Sequence, residues 1–430
     1  MGLRFAAESS TVLTLYNQFI RLYSFAIRQA APWNKKAKAW RDGRKDIFTH
    51  LQKNILPSDK VIWVHCSSAG EFEQGKPVIE ALKKDYPQKK ILVTFFSPSG
   101  YRVAKNYAFA DVISYLPLDT RKNAEQFFRL VHPELVIFVK YEFWYHHLAV
   151  AAFHHVPIVL ISATFRKEQV FFRSYGSFFR QMLHLFRHLF VQDEASIALL
   201  QSVGICNCSI SGDTRFDRVA AIAEKKDDIP AVDAFVGGKK LIVAGSTWED
   251  DDAVLAAYAR ANLQTKLIIA PHEITAAHLD KLKRLFPNSI LYSGVQQGNV
   301  SASDLAGAQV LVIDSVGLLS RLYAYATVTY VGGGFTKDGI HNILEAAVWG
   351  KPVIFGSNYR KYREAKELIL AGGACSVTNA DEFKKIADDL LSNEGHLQSY
   401  AANAGLYIEK NTGATEIIMK AIQEKRLLTN

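Results

Sequence analysis

Cysteine is scarce in this sequence. The 430 residues include four cysteines, Cys66, Cys206, Cys208 and Cys375, and no CxxC pair. Because metal sites that use cysteine usually contain closely spaced pairs, this spacing predicts no such site. We expect four buried, free thiols in a reducing compartment.

Long hydrophobic runs are also missing. Residues 1–33 contain no run of eighteen apolar residues, so a clean transmembrane helix is not supported. They also contain no cleavage site of the signal-peptide type. They do contain an amphipathic pattern with an apolar residue at most helical turns: Val12, Tyr16, Phe19, Tyr23, Ala26 and Ala30. A basic cluster follows: Lys35, Lys36, Lys38, Arg41, Arg44 and Lys45.

An apolar face beside cations is typical of a helix that lies on an anionic membrane surface. A helix packed on its own domain would show the same pattern. The net charge of +9 favours acidic partners such as phosphates or anionic lipid. Nucleic acid is not expected, because no motif of that class occurs.

Several cofactor signatures are absent. No GxGxxG follows the first predicted strand and no GxxxxGK[ST] occurs, so redox dinucleotide chemistry and a P-loop are disfavoured. His146 and His147 are consecutive and cannot face one way on a helix, which argues against a metal pair. We expect neither a metal nor another cofactor.

What is present is an alternation of apolar strands and amphipathic helices, which predicts two doubly wound α/β domains. The first set of predicted strands is Val61–Cys66, Ile91–Phe96, Leu135–Val139, Ile158–Ile161 and Leu189–Val191. A charged stretch, Glu224–Asp233, predicts a linker. The second set is Leu241–Ala244, Lys266–Ala270, Val310–Ile313, Val328–Val331 and Val353–Phe355, and the tail Asp381–Leu428 is predicted to be helical.

The most informative stretch is Gly332–Pro352, GGGFTKDGIHNILEAAVWGKP. It predicts a glycine loop after a strand, then a helix over His341–Trp349 whose first N–H groups favour a phosphate. Asn342 and Glu345 are three residues apart and so share a helix face. A carboxylate there can accept hydrogen bonds from a ribose diol. Gly333 and Gly334 allow a close backbone approach.

Two carboxylates follow strands of the first domain. Glu71 lies in HCSSAGEFEQ, where it is a candidate general base, although a helix-dipole partner is the more common role for such a residue. Glu73 competes for the same role. Glu142 lies in VKYEFWYHHL beside Trp144, and either shapes a site or caps a helix.

Further candidates lie at other predicted strand ends. Arg215 in SGDTRFD either neutralises a phosphate or pairs with a neighbouring aspartate, Asp213 or Asp217. Ser246 and Thr247 in AGSTWED offer donors at a helix start. His272 in APHEI ends another strand, and Asp314–Ala326 predicts a helix facing the same cleft. Two domains facing a cleft, with a nucleotide pocket and one carboxylate base, suit glycosyl transfer from a nucleotide sugar.

The ordered motifs SSAGEFEQGKPVI, KYEFW, SGDTRFD, AGSTWED, DSVGLLSRLY and VGGGFTKDGIHNILEAAVWGKPVIFG resemble those of the 3-deoxy-D-manno-octulosonic acid (Kdo) transferases of lipid A biosynthesis. The resemblance spans roughly Val61 to Gly356. It implies a GT-B type glycosyltransferase, two Rossmann-like domains facing a cleft. It also implies a metal-independent, inverting transfer of Kdo from CMP-Kdo to a lipid A precursor (lipid IVA) at the cytoplasmic face of the bacterial inner membrane.

The resemblance also implies roles for individual residues. Glu71 matches the family's catalytic base, and Glu142 matches a second carboxylate that places the acceptor or shapes the site. The positions that match donor-binding ones are Arg215, Ser246, Thr247, His272, Gly333, Gly334, Asn342 and Glu345, with Glu345 on the ribose. The chain departs from the family at Lys140, where a carboxylate is usual, and in APHEIT, which lacks an arginine.

The implied organisation is a membrane-associating segment at 1–45, an acceptor domain at 46–223 and a linker at 224–236. A CMP-sugar domain follows at 237–400, and helices at 401–430 are expected to cross back to the first domain. Two alternatives stay open: another GT-B enzyme that uses a UDP-sugar, as a transferase or an epimerase, or a non-catalytic sugar-binding protein.

Overall fold

The computed structural model describes residues 9–225 and 228–428. Parts of three predicted segments, at residues 1–8, 226–227 and 429–430, lie outside the described residues. The chain divides into two compact units. The first comprises Met1–Arg218 and Gly413–Asn430, and the second comprises Val219–Thr412.

The first unit is built on a parallel sheet. Its described strands are β1 Val61–Cys66, β2 Lys90–Phe95, β3 Val112–Tyr115, β4 Pro133–Val139, β5 Ile158–Ala163, β6 His188–Val191 and β7 Cys208–Ile210. They lie in the order β3-β2-β1-β4-β5-β6-β7, and every neighbouring pair is parallel. The central strands are mostly apolar because helices cover both faces of such a sheet, and the buried polar exceptions include His65 and Thr94.

Helices connect these strands. They are α1 Ser9–Ala30, α2 Lys35–Asp42, α3 Ile47–Asn54, α4 Ala69–Asp85, α5 Pro98–Ala104, α6 Arg121–Val131, α7 Tyr145–Phe153, α8 Ser177–His184, α9 Glu194–Ser202 and α10 Thr214–Ala223, with a 3₁₀ turn at Val170–Phe172. Side chains cap several helix starts, as where Thr120 accepts a hydrogen bond from the Asn123 N–H at the start of α6. The division between the two units falls within α10.

The second unit repeats the architecture. Its described strands are β8 Leu241–Thr247, β9 Lys266–Pro271, β10 Ser289–Leu291, β11 Val310–Val312, β12 Val328–Val331, β13 Val353–Gly356 and β14 Ala374–Val377, in the parallel order β10-β11-β9-β8-β12-β13-β14. Its helices are α11 Pro230–Val236, α12 Glu249–Ala261, α13 Ala276–Leu285, α14 Tyr292–Gln296, α15 Ala302–Gly307, α16 Leu319–Leu322, α17 Leu344–Ala347, α18 Arg363–Leu370, α19 Ala380–Ser392 and α20 Glu394–Asn411.

The last described helix, α21 Ala414–Glu424, belongs to the first unit. Ile418 and Ile422 pack in the same apolar cluster as Val64 of β1 and Phe72 of α4. Asp217 caps this helix, because its carboxylate accepts hydrogen bonds from the Gly413 and Thr415 N–H groups at 2.6 Å. The predicted helical tail over Asp381–Leu428 is confirmed as α19, α20 and α21.

Two predicted helices are wrong in extent. The helix predicted over His341–Trp349 is reduced to the single turn α17, because Gly350, with φ of 58°, ends it and Asn342 precedes it as a side-chain cap. The helix predicted over Asp314–Ala326 consists only of α16 and a 3₁₀ turn at Tyr323–Tyr325. Asp314 instead accepts a hydrogen bond from the Ser293 N–H.

The described part of the predicted linker contains a packed element. Helix α11 buries Val232 and Phe235 completely. It begins with Pro230 and ends at Gly237, whose φ is 54°. The apolar side chains of this charged stretch therefore belong to the core of the second unit.

Candidate functional site

The order of strands in the first unit marks one edge of its sheet as a candidate site. Strand β1 pairs with β2 on one side and with β4 on the other, so the chain changes direction across the sheet between β1 and β4. In open α/β sheets, ligands bind outside the carboxyl ends of the strands at this position. Glu71 follows β1 and Glu142 follows β4. The fold therefore brings both predicted carboxylates to the same edge.

Glu71 lies in the first turn of α4. Its Oε2 accepts hydrogen bonds from the Ser68 N–H at 2.7 Å and the Ser68 hydroxyl at 2.9 Å, which forms a capping box. Among the described residues, no group donates a hydrogen bond to its other oxygen, Oε1. One oxygen of Glu71 thus stabilises the helix start, and the role of Glu71 as a general base stays a prediction.

Glu142 is buried and contacts two aromatic rings. Its Oε2 accepts a hydrogen bond from Trp144 Nε1 at 2.6 Å and lies 3.2 Å from His65 Nε2. Trp144 Nε1 also lies 3.2 Å from His65 Nε2, so the three groups meet at one point. Glu142 is 8% exposed, so these contacts replace solvent around its charge.

Two buried side chains lie behind His65. Its Nδ1 lies within hydrogen-bond distance of the Thr94 hydroxyl oxygen, at 2.9 Å. The same oxygen accepts a hydrogen bond from Trp63 Nε1 at 2.8 Å. A chain of hydrogen bonds therefore runs from Trp63 through Thr94 and His65 to Glu142. This chain fixes the orientation of the carboxylate.

The two carboxylates influence each other electrostatically. Burial raises the pKa of Glu71, and the negative charge of Glu142 raises it further. The Ser68 hydrogen bonds and His65 oppose this rise. A carboxylate with a raised pKa is a stronger proton acceptor at neutral pH, which suits a general base.

Other charged candidates in the first unit are paired. Glu73 forms an ion pair with Lys76 at 2.5 Å, so it is less suited than Glu71 to be a base. Arg215 Nη2 pairs with Asp213 at 2.7 Å, one of the two alternatives weighed from the sequence. Burial works against the Asp213 charge, but Arg215 and its hydrogen bonds hold the pKa of Asp213 below its usual range.

The second unit has an equivalent position at its own sheet edge, between β8 and β12. Here the loop Gly332–Gly334 packs against its own chain. A Cβ on Gly332 would lie 2.4 Å from the Ser246 carbonyl oxygen, and one on Gly334 would lie 2.5 Å from the backbone of Gly356. The glycines were predicted to let the backbone approach a ligand closely. In the structure, Gly332 and Gly334 instead allow close contact with the backbone at the ends of neighbouring strands.

Asp251 ties these loops together. Its side chain accepts hydrogen bonds from the Trp248 N–H at 2.9 Å, the Gly333 N–H at 2.8 Å and the Tyr330 hydroxyl at 2.6 Å. Asp251 is fully buried on α12. Sequence patterns do not predict this role, because two of the partners, Tyr330 and Gly333, lie 79 and 82 positions away.

Three aromatic rings stack at the same edge. The His272 and His341 ring centroids are 4.2 Å apart, and Trp248 stacks on His272 at 4.8 Å. Trp248 Nε1 donates a hydrogen bond to His341 Nε2 at 3.0 Å, which leaves the proton of His341 on Nδ1. Burial, with His272 beside it, lowers the pKa of His341 to about 4. The structure therefore adds Trp248 and His341 to the predicted His272.

The remaining donor-binding candidates also lie near this edge. Asn342 Nδ2 donates a hydrogen bond to Glu345 Oε1 at 3.0 Å, as their spacing predicted. Ser246 adopts a left-handed conformation with φ of 53° at the end of β8. Thr247 is fully buried, so its hydroxyl lies within the fold. Their roles toward a ligand stay predictions.

Helix α1 has two different faces. Its inner face is anchored to the first unit: the Tyr16 hydroxyl donates a hydrogen bond to Asp119 at 2.5 Å, and Ile20 is buried. Its outer face exposes large apolar side chains, with exposed fractions of 58–66%, at Leu15, Phe19, Leu22 and Phe25. The predicted stripe thus packs on the first unit through Val12, Tyr16 and Tyr23, whereas only Phe19 of the four exposed large apolar residues belongs to it. That α1 lies on a membrane surface stays a prediction.

Three observations concern the described residues as a whole. No helix there is long and apolar enough to cross a membrane. No cluster of three or more His, Cys, Asp or Glu side chains that could hold a metal ion was found in the same ranges. The four cysteines are unpaired, but Cys206 is exposed, so the prediction of buried thiols holds for Cys66 and is wrong for Cys206.

Solved structures define the fold class. The UDP-GlcNAc 2-epimerase of Neisseria meningitidis bound to UDP-GlcNAc is similar with a TM-score of 0.57 at 16% identity, over 85% of this chain and 100% of that one. The enzyme of the same name from Methanocaldococcus jannaschii gives 0.53 at 16% identity, over 85% and 99%. This likeness shows the fold: two Rossmann-like domains of the GT-B type.

Sequence comparison then defines the family. The family described as 3-deoxy-D-manno-octulosonic-acid transferase (kdotransferase) matches residues 41–218. The transferase of that name from Aquifex aeolicus is 28% identical, over 81% of this chain and 92% of its own, and that of Rickettsia felis is 25% identical, over 90% and 85%. The Bordetella pertussis transferase is 24% identical, over 94% and 98%. The match over residues 41–218 and the relatives of this name, which align over most of the chain, together support the Kdo transferase family.

Proposed function

We propose that this protein is an inverting glycosyltransferase that moves Kdo from CMP-Kdo to a lipid A precursor in lipopolysaccharide biosynthesis. The observation that carries the proposal is the pair Glu71 and Glu142 at the carboxyl edge of the first sheet, in a chain that matches the Kdo transferase family. The environment of these two carboxylates suits one base and one supporting anion.

In the proposed reaction, Oε1 of Glu71 takes the proton of the acceptor hydroxyl as the hydroxyl oxygen attacks the anomeric carbon of Kdo. The bond from that carbon to the phosphate oxygen breaks, and CMP leaves. One base is sufficient for inversion, whereas a retaining double displacement needs a second carboxylate as nucleophile. Glu142, held by His65 and Trp144, keeps a fixed negative charge beside Glu71.

The second unit is proposed to hold the donor. Glu345 accepts hydrogen bonds from the ribose hydroxyls, while Asn342 orients its carboxylate. The loops fixed by Asp251 place backbone N–H groups and the Trp248–His272–His341 stack at the same edge. Fixed donors of this kind stabilise the developing charge on a leaving phosphate, with no metal needed.

The acceptor and the location are proposed from the surface of α1. Its exposed apolar face, followed by exposed Lys35, Lys36 and Lys38 on α2, suits the anionic cytoplasmic face of the inner membrane. A lipid acceptor is reached from that surface.

The test is transfer from freshly generated CMP-Kdo to a tetraacylated lipid A precursor, with EDTA in one arm and a UDP-sugar as donor in another. We expect equal product with and without EDTA, competition by CMP, and no competition by UDP. Product that forms only from the UDP-sugar, or that disappears with EDTA, would contradict the proposal.

A further inference from the structure

A groove lies on the first unit between α1, α2 and the loop that joins β2 to α5. Its volume is about 540 Å³, within the range of roughly 300–1,000 Å³ that is common for small-molecule sites. Its walls are mostly apolar. The described residues that line it are Tyr23, Ala26, Ile27, Ala30, Asn34, Lys36, Ala37, Trp40, Phe96, Ser97 and Pro98.

The floor of the groove is held rigidly by Arg44. Its guanidinium lies 4.1 Å from the Trp40 ring and 4.9 Å from the Phe96 ring. Its three nitrogens donate to the backbone carbonyl oxygens of Phe96 at 2.7 Å and of Trp40 and Leu116 at 3.2 Å. Arg44, which the sequence placed in a basic cluster, therefore supports the floor of the groove.

The same groove adjoins the two carboxylates. Phe96 stacks on Trp144 with ring centroids 4.6 Å apart, and Trp144 donates to Glu142. Ser97 N–H donates to the carbonyl oxygen of Ser67, one residue before the cap of Glu71. A ligand in the groove would thus contact Phe96 and Ser97, and these two residues touch both the loop before Glu71 and the loop that carries Glu142.

The groove is also continuous with the exposed apolar face of α1. Ala26 and Ala30 line the groove, and Leu22 and Phe25 lie on the adjoining exposed surface. Lys36 lines the groove from α2, with Lys35 exposed next to it. An apolar channel with cations beside it complements an acyl chain attached to an anionic headgroup.

We propose that this groove binds one acyl chain of the lipid acceptor and so places the acceptor hydroxyl at Glu71; the assignment rests on the proposed function. The chain enters from the apolar face of α1, and the headgroup phosphate meets Lys35 and Lys36. Each buried methylene of the acyl chain is worth about a fourfold change in affinity. The enzyme therefore distinguishes acceptors by acyl-chain length.

A variant that fills the groove tests this. Ala30 is exposed, so Ala30→Trp adds bulk in the groove without disturbing the core. We expect its KM for the tetraacylated acceptor to rise tenfold or more, with the KM for CMP-Kdo and binding to anionic vesicles unchanged. Ala198→Trp, on an exposed position of α9 that lies neither in the groove nor on α1, is the matched control and should leave all three values unchanged. Equal KM values in the two variants would overturn the proposal.

A binding experiment separates this proposal from the proposed function. The full-length protein is irradiated with a tetraacylated lipid A precursor that carries a diazirine in one acyl chain, and the labelled residues are mapped by mass spectrometry. We expect labels on Tyr23, Trp40 or Phe96 that excess phosphatidylglycerol does not remove and that Ala30→Trp abolishes. Labels removed by phosphatidylglycerol, or labels elsewhere only, would contradict the groove as an acceptor site. Groove labelling without any Kdo transfer would support the groove and contradict the proposed function.

Discussion

Glu142 lies close enough to Glu71 for its negative charge to raise the pKa of the Glu71 carboxyl. Burial is the larger cause of the rise in this pKa, and the charge of Glu142 is the second. The pairing connects two loops seventy-one positions apart at one sheet edge. The proton affinity of Glu71, the proposed base, therefore depends on a second, fixed carboxylate.

The pH dependence of transfer should report this coupling. A base acts in its ionised form, so the rate falls as pH drops through the raised pKa of Glu71. Glu142→Gln removes the neighbouring charge and lowers that pKa, so the acidic limb of kcat/KM against pH should move to lower pH. The control Glu73→Gln changes a carboxylate already paired with Lys76 and should leave the limb in place. A limb that stays fixed or moves upward in Glu142→Gln would refute the coupling.

Donor binding should depend on Glu345. A hydrogen bond to a charged group is worth about 1.5–3 kcal/mol, so the loss of one such bond to ribose in Glu345→Ala should raise the Kd for CMP about 10- to 100-fold. Calorimetric titration of CMP measures this directly. Glu394→Ala, at a side chain that is 64% exposed on α20, is the control and should bind CMP as wild type does. Unchanged affinity in Glu345→Ala would rule out the ribose assignment.

The exposed apolar face of α1 should control membrane binding. Leu22 is 66% exposed, and burying a leucine in an apolar phase is worth about 1.5–3 kcal/mol. Leu22→Gln should therefore weaken binding to vesicles of anionic phospholipid by about tenfold or more in a flotation assay. Leu263→Gln changes a leucine that is 72% exposed in the second unit and serves as control. If both variants float equally well, α1 is not the membrane-binding face.

The cap of the last helix should contribute to stability. Asp217→Ala removes the acceptor for the Gly413 and Thr415 N–H groups at the start of α21. Loss of a helix cap costs about 0.5–2 kcal/mol, so urea denaturation should show a loss of this size. Glu416→Ala lies in the first turn of the same helix without capping it and should cost less. Equal losses would assign the effect to the helix dipole rather than to the cap.

The central strands were predictable from sequence and the sheet edges were not. All four strands missed in the sequence, β3, β7, β10 and β14, lie at the edges of the two sheets. Interior strands are buried on both faces and mostly apolar, whereas each of these four edge strands contains partly exposed positions. Short segments that mix apolar and polar residues show no clear hydrophobic periodicity.

The site was predictable as a set of positions but not as a set of contacts. Glu71 and Glu142 were found because they follow apolar strands, and parallel strands bring their carboxyl ends to one edge. The contacts of Glu142 with His65, and of Asp251 with Gly333, join residues about eighty positions apart. The helix predicted over His341–Trp349 was wrong because its apolar residues pack in a single turn followed by a left-handed glycine.

The most direct measurement is the mass of the lipid A precursor after incubation with CMP-Kdo and either the wild-type protein or Glu71→Gln. The account predicts a gain of one or more Kdo units with the wild type. With Glu71→Gln, it predicts a rate lower by about 10²- to 10⁴-fold and an unchanged affinity for CMP, because only the proton acceptor is lost. Transfer by Glu71→Gln at the wild-type rate would contradict the assignment of the base, and no mass gain with the wild type would contradict Kdo transfer to this lipid.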